Sequence, residues 1–527
     1  MPNPIEARSF PDQARSAAWL IGLFGLCSLP VFLGLLNHDV AWMLLAADRV
    51  LGGQTLYVDL IEVNPPLIIW LSMIPVLVSR SLAISEVLSF RLIVLGLMAG
   101  SVFLSSRALE GNPRARRPIL ILAVVALLPL VGYDFGQREH LMLGLFLPYL
   151  ILASSRAEGR AVSPSLAGVI GLAAGIGIAI KPQFVPLWVA IEALLAWERQ
   201  DRLSWWRTET LLVAAVGLAY GVAVLALTPD YLRMARWVLP LYARCSPAPL
   251  AEMLAEPATM ITTLAGLGFL TVRLRDEHRR VGRLLLVADL SLLAIAFVQD
   301  KGFRYHFYPA MAMGTMLIGL LAMGRSDRQE LVPRFSMLLM RGVVAALLLE
   351  ISVARVVESR RWGVDPGESD TTVGRMIRLA RDQAAPGSVF TFSPALAASF
   401  PMVSYGEVRW ASRYPCLFFL PGFHPYGWQP VPTKGRRVST EIDPTERTLR
   451  TSVVDDLIRE RPTLLFVDET ETKPAFHGGR FDFLDYFSDD PRFAGFLGDY
   501  ERITEVDQFG IYRRKGATVA GRGLVRD

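Results

Sequence analysis

Of the 527 residues, 52% are hydrophobic and the mean hydropathy is +0.37, a balance that excludes an ordinary soluble enzyme and marks a polytopic membrane protein. The net charge of +5 rests mainly on arginine clusters between apolar runs, which suits anionic lipid headgroups, and no nucleic-acid motif accompanies it. Three cysteines, Cys27, Cys245 and Cys416, are too few for a disulfide framework and lack metal-ligand spacing, so they read as free thiols.

Arg8 and Arg15 precede an apolar run that is longer than a signal-peptide core and has no small-residue cleavage site, which predicts a retained first transmembrane helix. Runs long enough to approach a bilayer crossing recur at 17–36, 87–106, 118–133, 139–155, 164–180, 184–197, 209–227, 254–272, 284–299, 306–324 and 335–355. Residues 65–79 are apolar but short, opening on Pro65-Pro66 with a third proline at Pro75; they read as a re-entrant or juxtamembrane segment, with a full crossing as the alternative. Without that crossing, and with the N-terminus cytoplasmic, the inner loops hold about twice as many basic residues as the outer ones, as the positive-inside rule demands. The odd number of crossings then places on one outer face the loop at Asp39, the 134–140 turn, Lys181, the 300–306 turn and everything after residue 356.

From about Val356 the apolar runs shorten to strand length at 388–392 and 463–467, each preceded by an amphipathic helical pattern at 372–383 and 452–460. Helix followed by strand, repeated, predicts a small α/β domain over 356–527, distinct from a membrane domain over 1–355. Tyr414 to Pro432 reads as a long packed loop, 500–515 as a hairpin around Asp507-Gln508, and 516–527 as a frayed tail. No glycine-rich nucleotide loop is present in this domain, so no nucleotide binding is expected there.

Chemistry concentrates at the predicted outer mouths of the helices. Asp39, in Asn37-His38-Asp39-Val40-Ala41-Trp42, is a carboxylate on a loop at the membrane surface, a candidate general base or metal ligand. Asp134-Phe135-Gly136-Gln137-Arg138-Glu139-His140 packs acids, a cation and an imidazole between two apolar runs, and Glu139 or Asp134 is the candidate second acid. Asp39, Glu139 and His140 are also the candidate ligands of a divalent cation, and no cofactor is fixed by the sequence. Arg138, His140, Lys181, Lys301, Arg304 and His306 are candidate phosphate contacts, arginine as a bidentate fork and lysine as a point charge.

Simpler readings exist for each. Asp39 caps a helix that starts at Val40; Lys181 snorkels to the headgroups; Asp134 closes a turn; Glu139 and His140 serve a helix dipole; Lys301 and Arg304 anchor the bundle in anionic lipid. Tyr305, Tyr308 and Trp42 suit an aromatic belt as well as sugar stacking. Arg91, Glu192, Asp289, Arg341 and Glu350, inside apolar runs, read as structural pairs or snorkelling groups.

The first helix followed by Asp39, then Gly52-Gly53-Gln54-Thr55-Leu56-Tyr57-Val58-Asp59 and Pro65-Pro66-Leu67-Ile68-Ile69-Trp70, resembles the first outer loop of the GT-C glycosyltransferases of the dolichyl-phosphate-mannose mannosyltransferase-like group. In layout the resemblance covers residues 15–325. It implies a membrane bundle that transfers a sugar from a polyprenyl phosphate to an acceptor on the outer face, with Asp39 matching the first-loop acid on which catalysis depends. Two departures stand out: His38-Asp39-Val40 lacks the second acid often found beside the first, and Asp134 and Glu139 compete for the second-loop position.

The expected protein is thus an inverting glycosyltransferase of the inner (plasma) membrane, with about eleven crossings, a juxtamembrane segment and an extracytoplasmic α/β domain. Its partners are a polyprenyl-phosphate-linked sugar, a lipid or glycan acceptor and membrane lipids. A polymerase or ligase of lipid-linked glycans is the nearest alternative, with Arg233, Arg236 and Arg244 in the outer loop from Pro229 to Met253 as a possible diphosphate grip. A transporter or flippase fits less well, because no paired halves with interrupted helices are visible.

Overall fold

Each of the eleven apolar runs is helical, as expected of backbone that satisfies its own N–H and C=O groups away from water. The structure, a computed structural model, describes residues 10–199, 206–245, 247–323, 334–428 and 443–517. Arg8, the loop residues Arg202, Arg325 and Arg328, the end of the 414–432 loop and the tail from 518 lie outside the described residues. In chain order the helices are α1 (Phe10–Ser28), α2 (His38–Leu51), α3 (Leu67–Leu82), α4 (Glu86–Ala108), α5 (Pro113–Leu127), α6 (Arg138–Ala157), α7 (Pro164–Ile180), α8 (Val185–Arg199), α9 (Thr208–Leu227) and α10 (Asp230–Arg244). They continue as α11 (Leu250–Ala255), α12 (Pro257–Thr271), α13 (Asp276–Gln299), α14 (Arg304–Met323), α15 (Arg334–Trp362), α16 (Thr372–Gln383), α17 (Met402–Tyr405), α18 (Leu420–Phe423), α19 (Pro444–Glu460), α20 (Phe483–Ser488) and α21 (Pro491–Gly498).

Among the described residues five helices, α4, α6, α9, α13 and α14, are long and apolar enough to cross a membrane, and Ala18–Leu33 with α2, bent by 79°, makes a sixth if that pair is one span. Two compact units divide the chain. The first comprises the chain up to Gly34, Val87–Tyr220 and Pro249–Ser359; the second comprises Leu35–Glu86, Gly221–Ala248 and Arg360–Asp527.

In the first unit α6 and α14 are buried along almost their whole length. α7 approaches α9 so closely that a Cβ on Gly171 would stand 2.7 Å from the Glu209 backbone, the small-residue packing by which apolar helices associate in lipid. At one end of this unit Arg207 pairs with Glu192 at 2.5 Å, Tyr149 donates to the same carboxylate, and Arg156 holds Glu209 at 2.9 and 3.2 Å. Glu192 is therefore the structural pair its setting predicts. Arg91 donates to the carbonyls of Phe32 and Gly34, and Asp289 accepts from Thr262 with its other oxygen unpartnered.

The second unit is built on a mixed sheet of order β2-β1-β3-β5-β4: β1 (Ser388–Phe392) lies parallel to β2 (Arg409–Trp410) and β3 (Leu464–Asp468), and β5 (Phe509–Arg514) is antiparallel to β3 and to β4 (Tyr500–Val506). The hairpin turns at Asp507, whose φ of 49° lies in the left-handed region that Asp tolerates. α16 spans the residues its amphipathic pattern predicts, capped by Thr371, whose side chain accepts from the Gly374 N–H, and burying Met376, Ile377 and Ala380. α19 starts eight residues before the predicted 452, because Asp443 caps it and Pro444 occupies its first position.

The segment Leu35–Glu86 and the helix α10 also belong to this unit. The Ile61 N–H donates to the Arg413 carbonyl at 2.9 Å, and Arg413 grips the fully buried Asp456 of α19 through both its backbone N–H and its guanidinium at 2.8–3.2 Å. Arg459 binds the same carboxylate at 2.8 Å. Asp456→Asn strips the charge from this buried hub, and the expected loss is about 3 kcal/mol of stability, read as a lower unfolding midpoint of the purified protein; an unchanged midpoint would show the hub to be dispensable.

Candidate functional site

Three sequence clusters spread over more than 160 residues meet in the first unit. Arg138 and Glu139 open α6, and Lys181 sits in extended conformation (φ −138°, ψ 117°) where α7 gives way to Pro182. His306 lies in the first turn of α14, after a loop turned by left-handed Asp300 and Gly302. The Lys181 ammonium donates to Glu139 Oε1 at 2.5 Å and to Gln299 Oε1 at 3.1 Å, and stands 3.4 Å from His306 Nε2. Arg138 and Lys181 both approach the Tyr305 ring, at 5.7 and 5.8 Å from its centroid. Lys301 is buried as well, and its charge acts on His306 together with those of Lys181 and Arg138. Glu139 Oε2 and His306 Nδ1 are buried without a hydrogen-bond partner.

His140 has a different task. The Gly136 N–H donates to its Nδ1 at 2.9 Å and its Nε2 reaches the Leu127 carbonyl at 2.8 Å, so the fully buried ring fastens the turn to the end of α5. Both ring nitrogens are engaged with backbone, which leaves neither for the phosphate or cation that the sequence associates with this residue. The turn depends on Gly136, at φ 81°, where a Cβ would collide with the Phe90 ring. Asp134 ends the short helical turn Gly132–Asp134 and its carbonyl accepts the Gln137 N–H at 3.0 Å. Arg304 is exposed.

In the second unit, Asn37 rather than Asp39 caps α2: its side chain accepts the Asp39 N–H at 2.9 Å and its carbonyl the Ala41 N–H. The helix therefore starts at His38, not Val40, and Asp39 lies within its first turn, with a side chain 15% exposed and His38 Nε2 at 3.8 Å. Glu62, passed over in the sequence, is a second buried acid of the first loop. Its Oε2 accepts from the Trp42 indole, and its Oε1 accepts from the Asn64 backbone at 2.7 Å and from the Asn64 amide. Burial pushes the Cys416 thiol up, and the charges of Asp39, Cys245 and Glu62 add to that, which places both carboxylates within electrostatic reach of one thiol. Tyr231 is pushed up by burial and then by Glu62. The available signal was an acid in Leu60-Ile61-Glu62-Val63 between two Asn/Asp turns, but its meaning depends on Trp42, twenty residues away.

Among the described residues no three His, Cys, Asp or Glu side chains gather as metal ligands. Of the candidate ligands, Glu139 is engaged by Lys181 and His140 by backbone.

Apolar helices of membrane-crossing length, joined in one chain to an α/β sheet, define a multi-pass membrane protein. No family model and no curated protein matches the sequence. Among solved structures the chain is similar to ArnT from Cupriavidus metallidurans bound to undecaprenyl phosphate, with a TM-score of 0.54 at 12% identity over 96% of this chain and 98% of that one. This chain shares the fold of that structure. Arabinofuranosyltransferase AftD from Mycobacteria overlaps 95% of this chain and 40% of its own at 14% identity and a TM-score of 0.38, too loose a superposition to add to the fold assignment.

Breaking a buried ion pair on one side strands the other charge. Lys181→Met and Glu139→Gln should each cost about 3 kcal/mol of stability, and the double variant less than the two together; additive losses in thermal unfolding would show that the two side chains do not act as a pair.

Proposed function

We propose that the protein is an inverting glycosyltransferase that moves a sugar from a polyprenyl-phosphate donor to a hydroxyl acceptor. The observation that carries this reading is the gathering of Arg138, Lys181 and Lys301 around Glu139, Tyr305 and His306, three buried cations brought to one place on a GT-C fold. Ammonium and guanidinium donors are the groups that phosphate oxygens take. A lipid-borne phosphate also suits a site set among apolar helices, and undecaprenyl phosphate, the lipid bound to ArnT in its crystal structure, is a carrier of this class.

In the proposed step the Asp39 carboxylate takes the proton of the acceptor hydroxyl as its oxygen attacks the anomeric carbon. The bond from that carbon to the phosphate oxygen breaks, and the polyprenyl phosphate leaves with the electron pair. Arg138, Lys181 and Lys301 hold the phosphate and offset the charge it gains on leaving. Glu139 keeps Lys181 in place, and Glu62 is the second first-loop acid, orienting Trp42 and Asn64 beside the base. Asp134 and Arg304 belong to the rims of these segments. The transfer lies on the outer face of the plasma membrane, with the N-terminus cytoplasmic, as the distribution of arginines supports.

Two experiments test the reading. With a radiolabelled lipid-linked sugar and membranes, Asp39→Asn should lower transfer at least about a hundredfold while the protein accumulates normally; full transfer would sink the mechanism. For the topology, cysteines placed at the exposed positions Val58 and Ser85 should both react with an impermeant maleimide added from outside. Labelling from opposite sides would mean that α3 crosses and that every later loop is reversed.

A further inference from the structure

We propose that Arg49 is a positioning residue, through which the C-terminal α/β sheet sets the attitude of the helix that carries Asp39. This rests on the reading of Asp39 as the base.

Arg49 lies in the last turn of α2, ten residues after Asp39 and so about 15 Å along the helix axis. A cation in the last turn of a helix can serve the dipole alone and then needs no particular partner. This one is committed elsewhere. Its Nη1 donates to the Ser412 carbonyl at 2.8 Å and its Nη2 to the Trp410 carbonyl, two backbone acceptors two residues apart that the planar fork spans and an ammonium would not. Trp410 is an anchored partner: it belongs to β2, is 1% exposed, and packs against Phe390 at 5.2 Å and Phe400 at 5.4 Å. Its indole donates to the Tyr414 carbonyl at 2.7 Å.

Other contacts to the same unit hold the segment near Asp39. The Leu36 N–H reaches the Tyr405 hydroxyl at 3.2 Å, and Trp42 meets Phe400 edge-on at 5.5 Å while donating to Glu62. The Ile61 N–H pairs with the Arg413 carbonyl. α2 is thus fastened near its start, its middle and its end to residues 400–413. A helix is a stiff rod, and a tilt of roughly 4° about its far end would carry the acid about 1 Å. A displacement of that size costs about a hundredfold in rate when it moves a reacting group. At about 15 Å, beyond the screening length of about 8 Å in physiological salt, Arg49 acts by geometry and not by its charge on Asp39. The α/β domain is therefore part of the catalytic scaffold.

The test compares Arg49→Met, Arg49→Lys and Asp39→Asn in the full-length protein, with transfer kinetics from a lipid-linked sugar and hydrogen exchange as separate readouts. Arg49→Met should lower kcat ten- to a hundredfold, with KM for the lipid donor and the position of the acid limb of the rate–pH profile unchanged. Exchange should rise in 38–51 and 409–413 but not in 444–460 or 500–514. Arg49→Lys, which reaches one carbonyl, should recover part of the loss, and it carries the test alone if the Met variant does not accumulate, with about a tenfold lower kcat. Wild-type kcat and exchange in both variants, with Asp39→Asn inactive, would overturn the positioning role and leave the base intact. A shifted acid limb would overturn it in favour of an electrostatic effect. An active Asp39→Asn would remove the base itself, while raised exchange in 38–51 would still report that Arg49 holds the helix.

Discussion

A lysine and a glutamate buried together at 2.5 Å are the constraint around which the first unit is arranged. Lys181 interrupts two apolar helices at a proline, so its side chain turns inward rather than toward headgroups, and there it meets α6, the end of α13 and the start of α14. Neither charge is tolerated alone in a low-dielectric interior. The pair thus fixes the mutual register of the elements that also deliver Arg138, Tyr305 and His306. In the proposed function this place, already organised for charge, receives the phosphate of the donor.

The second unit reaches a comparable result by different means. Here the acid is carried by a short helix that is buried all round over Val40, Ala41, Trp42, Met43 and Leu44, and whose polar anchors point at backbone carbonyls and a carboxylate within the same unit. Hydrogen bonds to backbone acceptors are directional and cannot be exchanged for water at low cost once buried. Anchors of this kind set the attitude of the helix that carries Asp39, the proposed base. The ion pair of Arg413 with the buried Asp456 braces the loop to which Ile61 is anchored.

Much of this was legible in the sequence because hydropathy reports what lipid demands. Helices followed wherever apolar runs stood, and the strands at 388–392 and 464–468 followed from short β-rich runs bounded by turns. The gathering of the 134–140, Lys181 and 300–309 segments was legible from charges placed at helix mouths, where they are expensive without a reason. The parts that were not legible share one property, a partner distant in sequence or of an unremarkable type. Arg49 finds its carbonyls 361 and 363 residues away. His140 reads as a ligand and instead binds backbone on both sides, and two good capping residues two positions apart, Asn37 and Asp39, divide cap and first-turn roles in a way that only the dihedral angles decide.

The central claim is that the cations around Lys181 receive the phosphate of the lipid donor. It is tested most directly by an experimental structure of the protein with a polyprenyl phosphate bound. The account predicts phosphate oxygens within about 3.2 Å of nitrogen atoms of Lys181 and of Arg138 or Lys301. A phosphate bound elsewhere, with Lys181 still closed on Glu139 and no density beside it, would contradict the claim.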